Sequence, residues 1–142
     1  MILPDVNLLL YAEISAFPQH VAARRWWESV LSGDEEVALV SPVLFGFVRL
    51  ATNRRVFERP MTVRRATELV DEWLECPSVR LVVPGARHLE LAFEFLRALG
   101  TGGNLTTDAQ LAAVAVELNA DLYSADADFA RFPGLRWRNP LS

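Results

Sequence analysis

Short apolar runs of strand length alternate with amphipathic helical stretches along the whole chain, and that alternation leaves few folds open to it. The runs are ILPDV at 2–6, VALV at 37–40, residues 80–83, DLYS at 121–124 and a last run at 135–138. Between them, 7–13 reads as a short helix that breaks around Pro18. Residues 20–32 set Val21, Trp26 or Trp27, Val30 and Leu31 near one stripe of a second helix. Ser41-Pro42 looks like an N-cap with proline at the first helical position, opening a helix that runs to about Asn53. A helix over 62–75 repeats Val63, Ala66, Leu69, Val70 and Trp73 at helical spacing, and further helices are expected over 87–99 and 106–119. Strands kept apart by helices cannot pair as hairpins. The pattern therefore predicts an α/β fold with a mostly parallel central sheet. In such sheets functional groups gather beyond the carboxyl ends of the strands.

With 142 residues and no repeat, linker or low-complexity segment, one domain over 1–142 is expected. A lone Cys76 excludes an internal disulfide framework. The opening MILPDVNLLLYAEISAF is apolar, but it lacks a basic lead and is interrupted by Asp5, Asn7 and Glu13. It also falls short of the roughly 20 apolar residues that a membrane span needs. A cytoplasmic protein with no membrane partner is expected. The net charge of −4 weighs against nucleic-acid binding. Against that, every basic residue is arginine, several stand in pairs such as Arg54-Arg55 and Arg64-Arg65, and arginine binds phosphate bidentately. An acidic site set in an arginine-bearing surface would reconcile the two.

Four aspartates stand where such a site belongs. Asp5 ends the first predicted strand, Asp108 lies in the first turn of the helix over 106–119, and Asp126 and Asp128 follow the strand at 121–124. Each has an ordinary reading by itself: a helix cap for Asp5, a dipole partner for Asp108, an Asx turn for the last two. If the two strands are neighbours, however, the carboxylates converge in one cleft. Their repulsion would raise some of their pKa values unless a hard divalent cation offset it.

The order and spacing of these segments resemble PIN domains, and in particular VapC toxins of type II VapBC toxin–antitoxin pairs. The matching stretches are M-I-L-P-D-V-N-L-L-L-Y-A, R-L-A-T-N-R-R-V-F, G-N-L-T-T-D-A-Q-L-A-A and Y-S-A-D-A-D-F-A-R-F-P-G-L-R-W, which together span nearly the whole chain. The resemblance implies a three-layer αβα sandwich. It also implies a metal, Mg²⁺ or else Mn²⁺, held by Asp5 and Asp108 with Asp126 and Asp128 completing the acidic site. Asp5, Asp108 and Asp126 would be the catalytic set, with Asn7, Thr107 and Ser124 orienting them. The implied reaction is hydrolysis of phosphodiester bonds in structured RNA, tRNA or rRNA, by in-line attack of water. The implied partners are the RNA, a VapB-like antitoxin and a second copy of the chain. One departure stands out: many PIN nucleases carry a Glu in the helix after the second strand, where this chain has Gly46. Fewer carboxylates, a changed site using Arg49, or reduced activity would each follow from it.

His20 and His88 have no Cys or His at metal-ligand spacing and read as exposed or internally satisfied. Trp26, Trp27 and Trp73 read as core or interface surface. Neighbouring helical positions differ by about 100°, so one of Trp26 and Trp27 is free to meet a partner. Cys76 beside Pro77 marks a helix end. Receiver-domain and haloacid-dehalogenase-type chemistry both rely on a lysine, which this chain lacks, and the latter needs an Asp where Asn7 stands. The alternative that survives is a non-catalytic PIN-like module that binds RNA or protein.

Overall fold

A computed structural model describes all residues, Met1–Ser142. In chain order its elements are β1 (Ile2–Pro4), α1 (Val6–Glu13), α2 (His20–Leu31), β2 (Val37–Val40), α3 (Ser41–Ala51), α4 (Val63–Glu75) and β3 (Val79–Val82). These are followed by α5 (His88–Leu99), α6 (Leu105–Leu118), β4 (Asp121–Tyr123), a 3-10 helix at Ala127–Arg131 and β5 (Trp137–Arg138). The strands form one sheet in the order β3-β2-β1-β4-β5, and every pairing is parallel. The alternation in the sequence thus resolves into a fully parallel sheet.

The chain runs from β1 to β3 through α1–α4, then back to β4 through α5 and α6. The packing divides in the same way: α1 lies against α2 and α3, α3 against α4, and α5 against α6. The result is the three-layer αβα arrangement. β1 and β2 lie inside the sheet, covered on both faces, so Ile2–Pro4 and Val37–Val40 are buried throughout and read as unbroken apolar runs. Pro4 can sit in a central strand because it is the last residue of β1. The ladder resumes past it through the Asp5 amide, which donates to the Tyr123 carbonyl at 2.8 Å.

Under one face, Trp27, Trp73 and Phe47 pack edge-on, with ring centroids 5.7 Å and 4.9 Å apart. Each such contact is worth about 0.5–1.5 kcal/mol beyond burial. The buried stripe of α2 is Ala23, Trp27 and Val30, and that of α4 is Ala66, Leu69 and Trp73. Two expected stripe members fall outside: Val21 is 68% exposed and Val63 62%. Both lie off the buried face of their helices, since Ala23 and Ala66 in the same first turns are fully buried. Ser41 does not act as a cap either. Val40 occupies the cap position of α3 without a side-chain bond, because β2 runs directly into the helix. Thr62 does cap α4, its hydroxyl accepting from the Arg65 amide, and Cys76 ends that helix as expected.

The chain leaves β1 toward β2 on one side and returns to β4 on the other, so β1 and β4 flank the topological switch point. Ligand crevices in open parallel sheets form there, outside the carboxyl ends of the strands.

Candidate metal centre

Three elements deliver carboxylates to this crevice. Asp5 follows β1, Asp126 and Asp128 follow β4, and Asp108 lies in the first turn of α6. The adjacency of β1 and β4, paired from Ile2↔Asp121 to Pro4↔Tyr123, is what brings them together. One carboxylate oxygen each of Asp108, Asp126 and Asp128 lies within 4.8 Å of the others.

Asp5 stands beside that trio rather than inside it. The helix-cap reading and the site reading are both true of this residue. Its Oδ1 accepts from the Val6 amide at 2.8 Å, while Oδ2 accepts from the Ser124 hydroxyl at 2.7 Å. Ser124 is fully buried, and its hydroxyl is the hub of the centre. Besides donating to Asp5, it accepts from Asn7 Nδ2 at 3.3 Å and from the Asp126 amide at 3.0 Å. Asn7 Oδ1 takes the Ala125 amide at 3.5 Å, a second tie between the ends of β1 and β4. Asp126 caps the following 3-10 turn through the Asp128 amide, which fixes the backbone between the two acids. Thr107 lines the adjoining cleft and is exposed, outside this hydrogen-bond network.

The electrostatics reflect crowding. Burial, then the charges of Asp126, Asp5 and Asp128, push the Asp108 carboxyl up to about 6. Asp5 is also raised, chiefly by burial and slightly by Asp126, against the opposing hydrogen bonds from Ser124 and Val6. None of the chain's salt bridges reaches any of the four acids. The donor set is all oxygen, which suits a hard divalent cation, and the repulsion it builds is the kind that such an ion offsets.

A cleft open to solvent extends from Asp5 and Asp108 past the ends of β2 and β3. Gly46 and Arg49 of α3 line it, as the spacing of the departure from the PIN pattern leads one to expect. So does His88, at the start of α5. His88 departs from expectation: its Nδ1 is buried without a hydrogen-bond partner, whereas His20 Nδ1 is satisfied by the Tyr11 carbonyl at 2.8 Å. Glu117 was not singled out from sequence. Its carboxylate accepts from the amides of Gly85 (2.8 Å) and Arg87 (3.1 Å), holding the loop that brings Pro84 and His88 to the cleft. The one available signal was Gly85, where a Cβ would collide with Glu117.

A family profile described as PIN domain matches residues 2–135. Ribonuclease VapC33 of Mycobacterium tuberculosis is 49% identical over 141 residues, covering 99% of each chain. Ribonuclease VapC37 of the same organism is 43% identical over 136 residues, covering 96% of this chain and 94% of its own. Among solved structures, M. tuberculosis VapC20, described as a sarcin-ricin loop cleaving toxin, aligns with a TM-score of 0.70 at 23% identity, covering 96% of this chain and 99% of its own. VapBC2 from Rickettsia felis, bound to a DNA fragment from its promoter, aligns with a TM-score of 0.69 at 20% identity and 98% coverage of both chains. At those identities the likeness is one of fold.

Proposed function

The chain belongs to the PIN-domain family, among the VapC ribonucleases, and from that premise we propose that it is the toxin of a toxin–antitoxin pair, an endoribonuclease that cuts structured RNA, tRNA or rRNA, with a divalent cation. The observation that carries this reading is the trio Asp108, Asp126 and Asp128, within 4.8 Å of one another and none of them in a salt bridge.

Those three residues, with Asp5 beside them, would hold Mg²⁺ or Mn²⁺. Bound there, the ion would supply Lewis-acid stabilisation of charge on the phosphoryl oxygens and make water a better nucleophile. The protein's own contribution is orientation. The Ser124 hydroxyl fixes the Asp5 carboxylate, and Asn7 holds that hydroxyl, so the ends of β1 and β4 cannot slide past each other. Thr107, one residue before Asp108, stands at the cleft edge, where it would orient bound groups only through the substrate or solvent. Arg49 on the cleft wall is placed to meet a phosphate of the RNA. Gly46 leaves the site one carboxylate short of the common PIN pattern, and the four aspartates supply the charge that remains.

A VapB-like antitoxin is the protein partner, and a second copy of the chain is another. Phe45, Leu81, Val83 and Leu89 are large apolar side chains left exposed, in keeping with surface that a protein covers. No helix is long and apolar enough to cross a membrane. A second reading, a PIN-like module that binds without cutting, is favoured by one observation, the glycine at position 46 in the cleft.

The test compares wild type with Asp5→Asn and Asp108→Asn on total cellular RNA, with Mg²⁺ and with EDTA. Discrete cleavage by wild type alone, abolished by EDTA, is the expected result. Persistent cleavage in either variant removes that residue from the essential set. A folded wild type that binds RNA or antitoxin but cuts nothing selects the binding module.

A further inference from the structure

Gly46 has no local reason to be glycine. It lies midway along α3, where glycine costs about 0.5–1 kcal/mol relative to alanine. Its backbone is not left-handed, and an added Cβ would meet Val6 Cγ2 at 3.5 Å, an ordinary contact. Neither conformation nor packing demands it. What the missing side chain does provide is room on the wall of the cleft, directly beside Asp5 and Val6.

Val6, Val43, Leu111 and Val114 give that part of the cleft apolar side chains, while Arg49, also on the wall, is the group a phosphate would meet. Polar groups stand among them at Gln110 and His88, and His88 is held in place by the loop that Glu117 clamps. Its buried Nδ1 finds no partner inside the protein. Asp5 and Asp108 line the same cleft, so groups neighbouring a phosphodiester bound at Asp108 come within reach of these side chains. Phosphate and ribose are too strongly hydrated to favour apolar walls. The flat, weakly hydrated part of an RNA chain is the base, and proteins that read structured RNA take unstacked bases into such sites.

Building on the ribonuclease reading, we propose that the slot opened by Gly46 receives one unstacked nucleobase of the RNA, flanking the bond to be cut. The base lies against Val6, Val43 and the Gly46 backbone, while Gln110, which carries both a donor and an acceptor, reads its edge. The slot sets which nucleotide stands beside the cut.

The test is methyl NMR of the full chain in metal-free buffer, titrated with adenosine, guanosine, cytidine, uridine and, separately, ribose. At least one nucleoside is expected to shift the methyls of Val6, Val43, Leu111 and Val114, and ribose is expected to leave them in place. Gly46→Leu fills the slot and should weaken that binding about tenfold, the scale of one lost base-stacking contact. Gly46→Ala, whose Cβ the site accommodates, should weaken it less and serves if the leucine variant does not fold. Absence of these shifts with all four nucleosides, equal shifts with ribose, or undiminished binding to a folded Gly46→Leu overturns the proposal. The outcome is separable from the nuclease reading. RNA cleavage by a wild type whose slot ignores nucleosides sinks the slot alone. Nucleoside binding in the slot of a wild type that cuts no RNA sinks the nuclease reading alone.

Discussion

The two ends of β4 treat aspartate in opposite ways. At the amino end, Asp121 is gripped by Arg136 and Arg138, and the Arg136 hydrogen bond before all else holds its carboxyl below the usual range. Beyond the carboxyl end, Asp126 and Asp128 crowd Asp108, none of the three in a salt bridge, and Asp108 is pushed up to about 6. A few residues of one strand separate the two situations. At Asp121 the acid serves the fold and is supplied with arginine. Where four acids are left to repel one another, the crowding raises Asp108 and Asp5 and is in keeping with the divalent cation proposed above.

Substitutions at the two ends should therefore differ in kind. The largest effect belongs to Asp108→Asn. RNA cleavage should fall on the order of 100-fold or more, the scale of losing a group that stabilises transition-state charge. Its melting temperature without metal should not fall, since a repelled carboxylate has gone. A marked loss of stability would mean that Asp108 is structural, like Asp121. Next comes Ser124→Ala. It strips the donor from Asp5 Oδ2 and the acceptor from Asn7 and the Asp126 amide in a fully buried place, which costs about 1–3 kcal/mol. Cleavage should drop by about 10–100-fold, as for groups that orient metal ligands. Full activity in this variant would detach the Ser124 network from the chemistry.

The pH dependence of metal-free stability separates the ends more finely. Asp108 holds its proton more tightly folded, with a pKa of about 6, than unfolded, near its ordinary 3.8. The folded form therefore binds more protons between those values, and this group's contribution to stability falls as pH rises from about 4 to about 6. Asp5, also raised, acts with the same sign. Asp121 is lowered, so the stability it lends is present above its ordinary value near 3.8 and fades as pH drops below it. Melting curves of wild type and Asp108→Asn from pH 4 to 7 should diverge as pH rises, with the variant losing less. Parallel curves would contradict the assignment. The smallest effect is that of Asp121→Asn, about 0.5–1 kcal/mol for partners that are largely exposed, with cleavage unchanged. A nuclease defect there as large as that of Asp108→Asn would erase the distinction between the ends.

Much of this was legible in the residues. The alternation of VALV-like runs with helical spacing led to the parallel sheet, and Asp5, Asp108 and Asp126 fell at element ends because acids are placed there by strand exit and helix entry. What the sequence left open was register and adjacency. Nothing in DLYS says that it pairs with ILP, and only that pairing turns two ordinary caps and a first-turn acid into a cluster. Stripe membership failed at Val21 and Val63 because more than one stripe can be drawn through the apolar residues of each helix, and spacing alone does not say which one the neighbouring elements cover. Glu117 stayed hidden for a similar reason: its partners, the Gly85 and Arg87 amides, lie in the β3–α5 loop, 32 and 30 residues away, and no local spacing encodes them.

The central claim, that the acids beyond β1 and β4 form a divalent-cation site, is most directly tested by calorimetric titration of Mn²⁺ into wild type and into Asp108→Asn at pH 7. One saturable site in wild type, lost or weakened at least tenfold in the variant, is the result expected. Equal binding by both proteins, or none by a folded wild type, would contradict it.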